Sequence, residues 1–235
     1  MLRVFIVFHL LVLLLQGAAL ASDDLSGTLK GIQKKYGGLP GFSIPYTREV
    51  ITRSMSMLGN QVKGDLATGQ MFYKPPHFLR LEQKIPEAET IITNGDSLWW
   101  YIPGKKRAYQ YPSQEFGKEL RLLSDIFHGL MRVEETFHVA MLGPDKQGEI
   151  RIELRPNPPW QEVDRIILTV IKGYNIRMIG IHNQLGGITR FTLKNLIVKD
   201  KFEKGFFQFI APEGVELIKK EGKLQSQIES GVSSQ

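Results

Sequence analysis

The residue types that most often carry chemistry are scattered along this chain. Four histidines lie beyond the N-terminal segment, His77, His128, His138 and His182, each in a different stretch and none in an HExxH or similar spacing. Local sequence therefore assembles no metal-ligand set. Cysteine is absent, which removes thiol nucleophiles, thiolate zinc and disulfides together. There is no G-x-S-x-G elbow, no P-loop and no G-x-G-x-x-G following a strand. Carboxylates are more plentiful: Glu82, Glu87, Glu89 and the adjacent Glu134 and Glu135 could give a hydrolase its acid and base, but nothing in their spacing places two in one cleft. The expectation is a protein that is not an enzyme, with no cofactor and no metal; an exported hydrolase stays as the alternative from another class.

What is distinctive instead is aromatic and aliphatic: Phe72, Tyr73, Phe78, Trp99, Trp100, Tyr101, Tyr109, Tyr111, Phe206, Phe207 and Phe209. A strand with large apolar groups on both faces needs a partner on both. A lipid could supply one of them, at about 0.8 kcal/mol per buried methylene.

The elements that must position these side chains begin after a leader. Arg3 is followed by an unbroken apolar run from Val4 to Leu15, and Ala19-x-Ala21 precedes Ser22. This is the pattern of a secretory signal peptide, 1–21, cleaved after Ala21; the run is shorter than the roughly 20 residues a bilayer span requires. Without a cysteine the mature chain cannot carry a lipoprotein anchor. The 235 residues carry a formal charge of +6, spread in pairs and triplets such as Lys105-Lys106-Arg107 and not in one stripe, so nucleic acid is not an expected partner. Hydrophobic residues make up 42%, enough for a substantial core in one domain, 22–220. The polar stretch 221–235 reads as a flexible tail.

Leu25, Leu29, Ile32 and Tyr36 recur at helical spacing opposite Lys30, Lys34 and Lys35, capped by Ser22, Asp23 and Asp24. Gly37-Gly38 is expected to end this helix in a left-handed turn. The period then changes to two in Phe42-x-Ile44-x-Tyr46, Gly69-x-Met71-x-Tyr73, Leu79-x-Leu81 and the block Leu98 to Ile102, with Asn94-Gly95-Asp96 and Pro103-Gly104 as turns. One or two short helices follow between Ser113 and Phe137, with Leu120, Leu123, Phe127, Leu130 and Met131 on one side. Strands return over 137–142, 149–155, 163–172, 176–182, 188–197 and 206–210. Some ten consecutive strands with two helical insertions predict one large antiparallel sheet that curls, its concave face covered by the helices: a container.

At this point the residues resemble a known family. Phe42-x-Ile44-x-Tyr46 after the amphipathic helix, Gly69 to Leu81 with its Lys74-Pro75-Pro76 break, Ile91 to Pro103 with its L-W-x-Y-x-P ending, and Phe207 to Val215 with F-x-F-x-x-P-x-G-V are similar, in this order, to the outer-membrane lipoprotein carrier family LolA. The resemblance covers almost the whole mature chain. It implies an incomplete, unclosed antiparallel β-barrel, mainly β with some α, whose helical lid covers a hydrophobic cavity. It further implies a periplasmic carrier shuttling acylated lipoproteins from the inner to the outer membrane, and a monomer is the expectation. Its partners would be an inner-membrane lipoprotein-releasing transporter and an outer-membrane lipoprotein acceptor.

Strand parity puts Met71, Tyr73, Leu79 and Leu81 on the cavity wall, with Trp99 and Tyr101 as further candidates. The lid would present Leu25, Leu29, Ile32 and Tyr36 from the first helix and Leu123, Phe127 and Leu130 from the second. One position departs from the family: Pro75 stands where an arginine commonly ties the lid shut, so Lys74 or Arg80 would have to serve as latch. A carrier or sensor of another lipid or glycolipid on the same fold is the nearest alternative, and a purely structural envelope protein the third.

Overall fold

The computed structural model describes residues 25–57, 64–112 and 118–220; the expected signal peptide and polar tail lie outside them. Residues 25–36 form helix α1. Its buried stripe is Thr28, Ile32 and Tyr36, one residue every turn, while Leu25 and Leu29 are only half-buried. Gly37 and Gly38, expected in a left-handed turn, are not among the glycines with positive φ. Gly37 answers a steric demand instead: a Cβ there would stand 2.7 Å from the Gln33 carbonyl oxygen.

The strands follow in the order β1 (Phe42–Ile51), β2 (Asp65–Lys74), β3 (Phe78–Ile85), β4 (Glu89–Thr93), β5 (Ser97–Ile102), β6 (Arg107–Pro112), β7 (Phe137–Leu142), β8 (Ile150–Pro156), β9 (Arg165–Ile171), β10 (Asn175–His182), β11 (Ile188–Leu193), β12 (Ile197–Val198) and β13 (Glu216–Lys219). Helix α2 (Arg53–Met57) lies between β1 and β2, and α3 (Lys118–Phe127) and α4 (Val133–Thr136) between β6 and β7.

The hydrogen-bonded order is β13-β6-β5-β4-β3-β2-β1-β11-β10-β9-β8-β7, with β12 on β1, one sheet of thirteen strands that does not close on itself. Short turns make most neighbours antiparallel, as expected. At the Asn94-Gly95 turn the Asn94 Oδ1 accepts from the backbone N–H groups of Asp96 and Ser97, and Gly95 takes φ +99°. The last pair departs from the pattern, because β13 runs parallel to β6.

The described residues divide into two compact units. One comprises the described residues up to Leu39, Thr47–Leu66 and His128–Lys194; the other comprises Pro40–Tyr46, Ala67–Phe127 and the described residues from Asn195. In the first, α1 packs within its own unit: the Ile176 N–H donates to the Tyr36 hydroxyl at 2.9 Å, and the Tyr174 ring covers Gly31, where a Cβ would collide at 2.3 Å. Gly129 also approaches α1 closely, its Cβ position 3.1 Å from Gln33 Cα and Gly37 N.

Residues 206–210, read as a strand from their alternating aromatics, are irregular. Phe202 packs on both Phe206 and Phe207, at 5.3 and 5.0 Å between ring centroids. Consecutive residues that face the same neighbour cannot follow the two-residue alternation of a strand.

Candidate lipid-binding site

Residues directly opposite each other in an antiparallel ladder share a face of the sheet. The registers of β2 to β6 therefore define two rows across one face: Met71, Leu81, Ile91, Trp100 and Tyr109 in the first, Tyr73, Leu79, Thr93, Leu98 and Tyr111 in the second. Met71, Tyr73 and Leu79 are 0% exposed and Leu81 4%. Toward β6 the rows emerge, and Trp100, Tyr109 and Tyr111 are half-buried. Glu89 holds the indole of Trp100 by accepting from its Nε1–H at 3.0 Å, and Tyr109 lies 5.6 Å from Trp100.

Helix α3 is the cover over the buried end of this wall. Leu122, Leu123, Ile126 and Phe127 are all buried, a stripe the 3.6-residue period places on one side. Phe127 meets Phe42 edge-on at 5.1 Å and Tyr73 at 5.9 Å, and Phe42 meets Tyr73 at 5.4 Å. The Tyr73 hydroxyl donates to the Pro76 carbonyl at 3.2 Å; burial, then the nearby Asp125, push its phenol well above the usual range. The contact is made of apolar rings.

Two sets of expectations need correction. Trp99 and Tyr101 do not face this wall: Trp99 opposes Ile92, Ile92 opposes Arg80, and Arg80 opposes Phe72, all on the other side of the sheet. The neighbours Leu98 and Trp100 take the wall positions. Arg80 and Lys74 likewise point away from α3 and cannot latch it. Arg80 pairs with Glu82 at 2.7 Å, donates from an Nη to the Phe206 carbonyl at 2.9 Å and lies 4.8 Å over the Phe206 ring. Lys74 sits over Phe78.

That second face is thus covered by a strap, residues 202–209. Phe206 packs on Phe72 at 5.0 Å, Phe207 on Phe78 at 5.6 Å and Phe209 on Tyr101 at 5.3 Å. Sequence reasoning recognised these aromatics but not that they cover the far side of the wall. The opposite parity of Arg80 to Leu79 and Leu81 was the available signal.

Of the remaining lid candidates, Ile32 and Tyr36 are buried within the unit that contains α1, and Leu29 and Leu130 line one cleft of about 200 Å3 with Val133 and Arg132. Leu25 stays half-buried. Among the described residues no group of three or more His, Asp or Glu could hold a metal ion, and no helix is long and apolar enough to cross a membrane. Glu82 and Glu89 are engaged by Arg80 and Trp100 respectively.

A family model described as outer membrane lipoprotein carrier protein LolA matches residues 57–210. An outer-membrane lipoprotein carrier protein of Hahella chejuensis is 24% identical over 199 residues, covering 84% of this chain and 88% of its own length. The corresponding protein of Pasteurella multocida is 23% identical over 150 residues, 64% of this chain and 69% of its own. Among solved structures, a LolA superfamily protein of Nitrosomonas europaea aligns with a TM-score of 0.42 at 12% identity over 77% of this chain and 96% of its own. The family match spans well over half of the sequence, so this chain belongs to the outer membrane lipoprotein carrier protein LolA family.

Proposed function

We propose that the protein is a periplasmic carrier that holds acyl chains of lipid-modified proteins against the wall of β2 to β5 and moves them from the inner to the outer membrane. It would receive them from a lipoprotein-releasing transporter and yield them to an outer-membrane acceptor. The observation that carries this reading is the wall itself: Met71, Tyr73, Leu79 and Leu81 form a continuous buried apolar surface whose cover is an amphipathic helix.

The energetics suit a carrier. An acyl chain of a dozen methylenes gains about 10 kcal/mol on burial. Re-exposing Leu122, Leu123, Ile126 and Phe127 would cost about 6–12 kcal/mol, at roughly 1.5–3 kcal/mol per side chain. Loading by displacement of α3 is therefore near balance, so neither uptake nor release is blocked by a deep well.

Leu81→Glu tests the reading, because it sets a charge on the wall beside Met71. A fluorescent diacyl lipopeptide should bind the parent chain and bind a folded Leu81→Glu variant at least about tenfold more weakly. Equal affinity in both would remove Leu81 from the site. Mass spectrometry of material co-purified from the periplasm identifies the client: acylated proteins support the lipoprotein reading, and free glycolipid would replace it.

A further inference from the structure

A second apolar cleft lies at the hairpin end of β8, β9 and β10, within the unit that contains α1. Its volume is about 410 Å3, and it is lined by Glu149, Ile150, Val170, Ile171, Lys172 and Tyr174, with Gly148 and Gly173. That volume falls in the range of roughly 300–1,000 Å3 typical of ligand pockets. Its floor continues the buried face of the sheet. Ile150 opposes Val170, and each shares strand parity with fully buried neighbours, Ile152 and Leu154 on one strand and Ile166 and Leu168 on the other.

Both walls are fixed. On one side Asp145 Oδ1 accepts from the backbone N–H groups of Gln147 and Glu149, each at 2.9 Å, and Arg177 pairs with the carboxylates of Asp145 and Glu149. On the other side Tyr174 takes φ +59°, a left-handed conformation that is rare for an aromatic residue, while its ring rests on Gly31. The Asn175 side chain ties this turn by donating to the Lys172 carbonyl at 3.1 Å. The cleft is therefore preformed and needs no helix to move. The ionisable residues of this end are Asp145, Lys146, Glu149, Arg151, Lys172 and Arg177, four cationic and two anionic, and Arg177 is committed to both carboxylates. Lys172 stands exposed at the rim.

We propose that this cleft binds one hydrocarbon chain of an amphiphile whose anionic head lies beside Lys172. The inference rests on the lipid-carrier reading and adds to it a second site, separate in sequence and in unit from the wall under α3. It gives a use to an open apolar floor that the wall does not occupy.

Dodecyl phosphate, held below its micellar concentration and titrated calorimetrically against the whole mature protein, is the test. One equivalent that depends on Lys172 should bind, apart from any taken up by the wall; Lys172→Glu should weaken that equivalent about tenfold and reverse its preference over dodecyltrimethylammonium, and Ile150→Trp should abolish it by filling the floor. Leu81→Glu should leave the Lys172-dependent equivalent of dodecyl phosphate unchanged while weakening the diacyl lipopeptide. Indifference of the dodecyl phosphate affinity to both Lys172→Glu and Ile150→Trp, in variants with the parent circular dichroism spectrum, would overturn the cleft. So would joint loss of both ligands in Leu81→Glu, which would mean one shared site. A chain that binds lipopeptide and no dodecyl phosphate sinks the cleft alone, whereas one that binds neither sinks the carrier reading as well.

Discussion

In the unit built on β2 to β6, both faces of the sheet are covered: the apolar wall by α3, and the other, where Phe72, Phe78 and Tyr101 stand beside Arg80 and Glu82, by the aromatic strap 202–209. In the unit built on β7 to β11, only one face is apolar. The face opposite its core carries ion pairs within and between strands: Glu153 with Arg155 at 2.8 Å and with Arg165 at 3.5 Å, Asp164 with the same two arginines, and Glu49 with Arg190 at 2.6 Å. His182 lies among them, opposite Arg165. An ordinary amphipathic sheet hides one face and shows the other to water. The sheet of β2 to β6 has two covers, and they differ: the strap is fastened by a charged hydrogen bond, whereas α3 is held through apolar and ring contacts. Under the proposed function, the cover exchanged for lipid is α3.

Four substitutions test that contrast, from large to small effect. Phe127→Ala should cost about 3–5 kcal/mol of stability in urea unfolding, the usual range for a buried phenylalanine, yet bind acyl probe more tightly than the parent, because less must be displaced. If stability and affinity fell together, α3 would be core and not cover. Arg80→Met keeps the aliphatic stem and removes the hydrogen bond to Phe206; a loss of about 1–3 kcal/mol and faster proteolysis near residue 205 are expected, with acyl affinity unchanged. Arg155→Ala should move stability by no more than about 1 kcal/mol, since its pairs are solvent-exposed.

The smallest effect concerns pH. Burial, then Arg165, lower the pKa of His182 in the folded state, opposed by Asp164 and Glu153. The unfolded chain therefore takes up a proton near pH 6.5 that the folded chain resists, and stability declines as pH falls through that value until the folded histidine also titrates. His182→Asn should flatten this slope between neutral pH and the folded pKa. An unchanged slope would assign it to another group.

Much of this architecture was legible because alternation is local. Within β3 polar and apolar positions take turns, so Leu79 and Leu81 could be assigned to one face from sequence and Arg80 to the other, and the two-residue spacing of Met71 and Tyr73 put those two together in β2. In β5 every residue from Leu98 to Ile102 is large and apolar, so the pattern carries no phase. Only the pairing of Thr93 with Leu98 across the Asn94-Gly95 turn selects Trp100 for the wall in place of Trp99. The strap was legible as aromatic but not as irregular, because its geometry is set by Phe72, Phe78 and Tyr101, distant in sequence. The parallel pairing of β13 with β6 also depends on where that strap leads the chain. The cleft at Tyr174 had no signal at all, since a left-handed tyrosine is a property of the fold and not of the residue type.

The central claim is that acyl chains replace α3 on the wall, and photo-crosslinking tests it most directly. A diacyl lipopeptide bearing a diazirine midway along one chain would be irradiated in complex with the protein and the adducts mapped by mass spectrometry. Adducts at Met71, Tyr73, Leu81 or Trp100 and along the buried side of α3 are the expected result. Adducts confined to the strap and to the opposite face at Phe72, Trp99 and Tyr101 would contradict it.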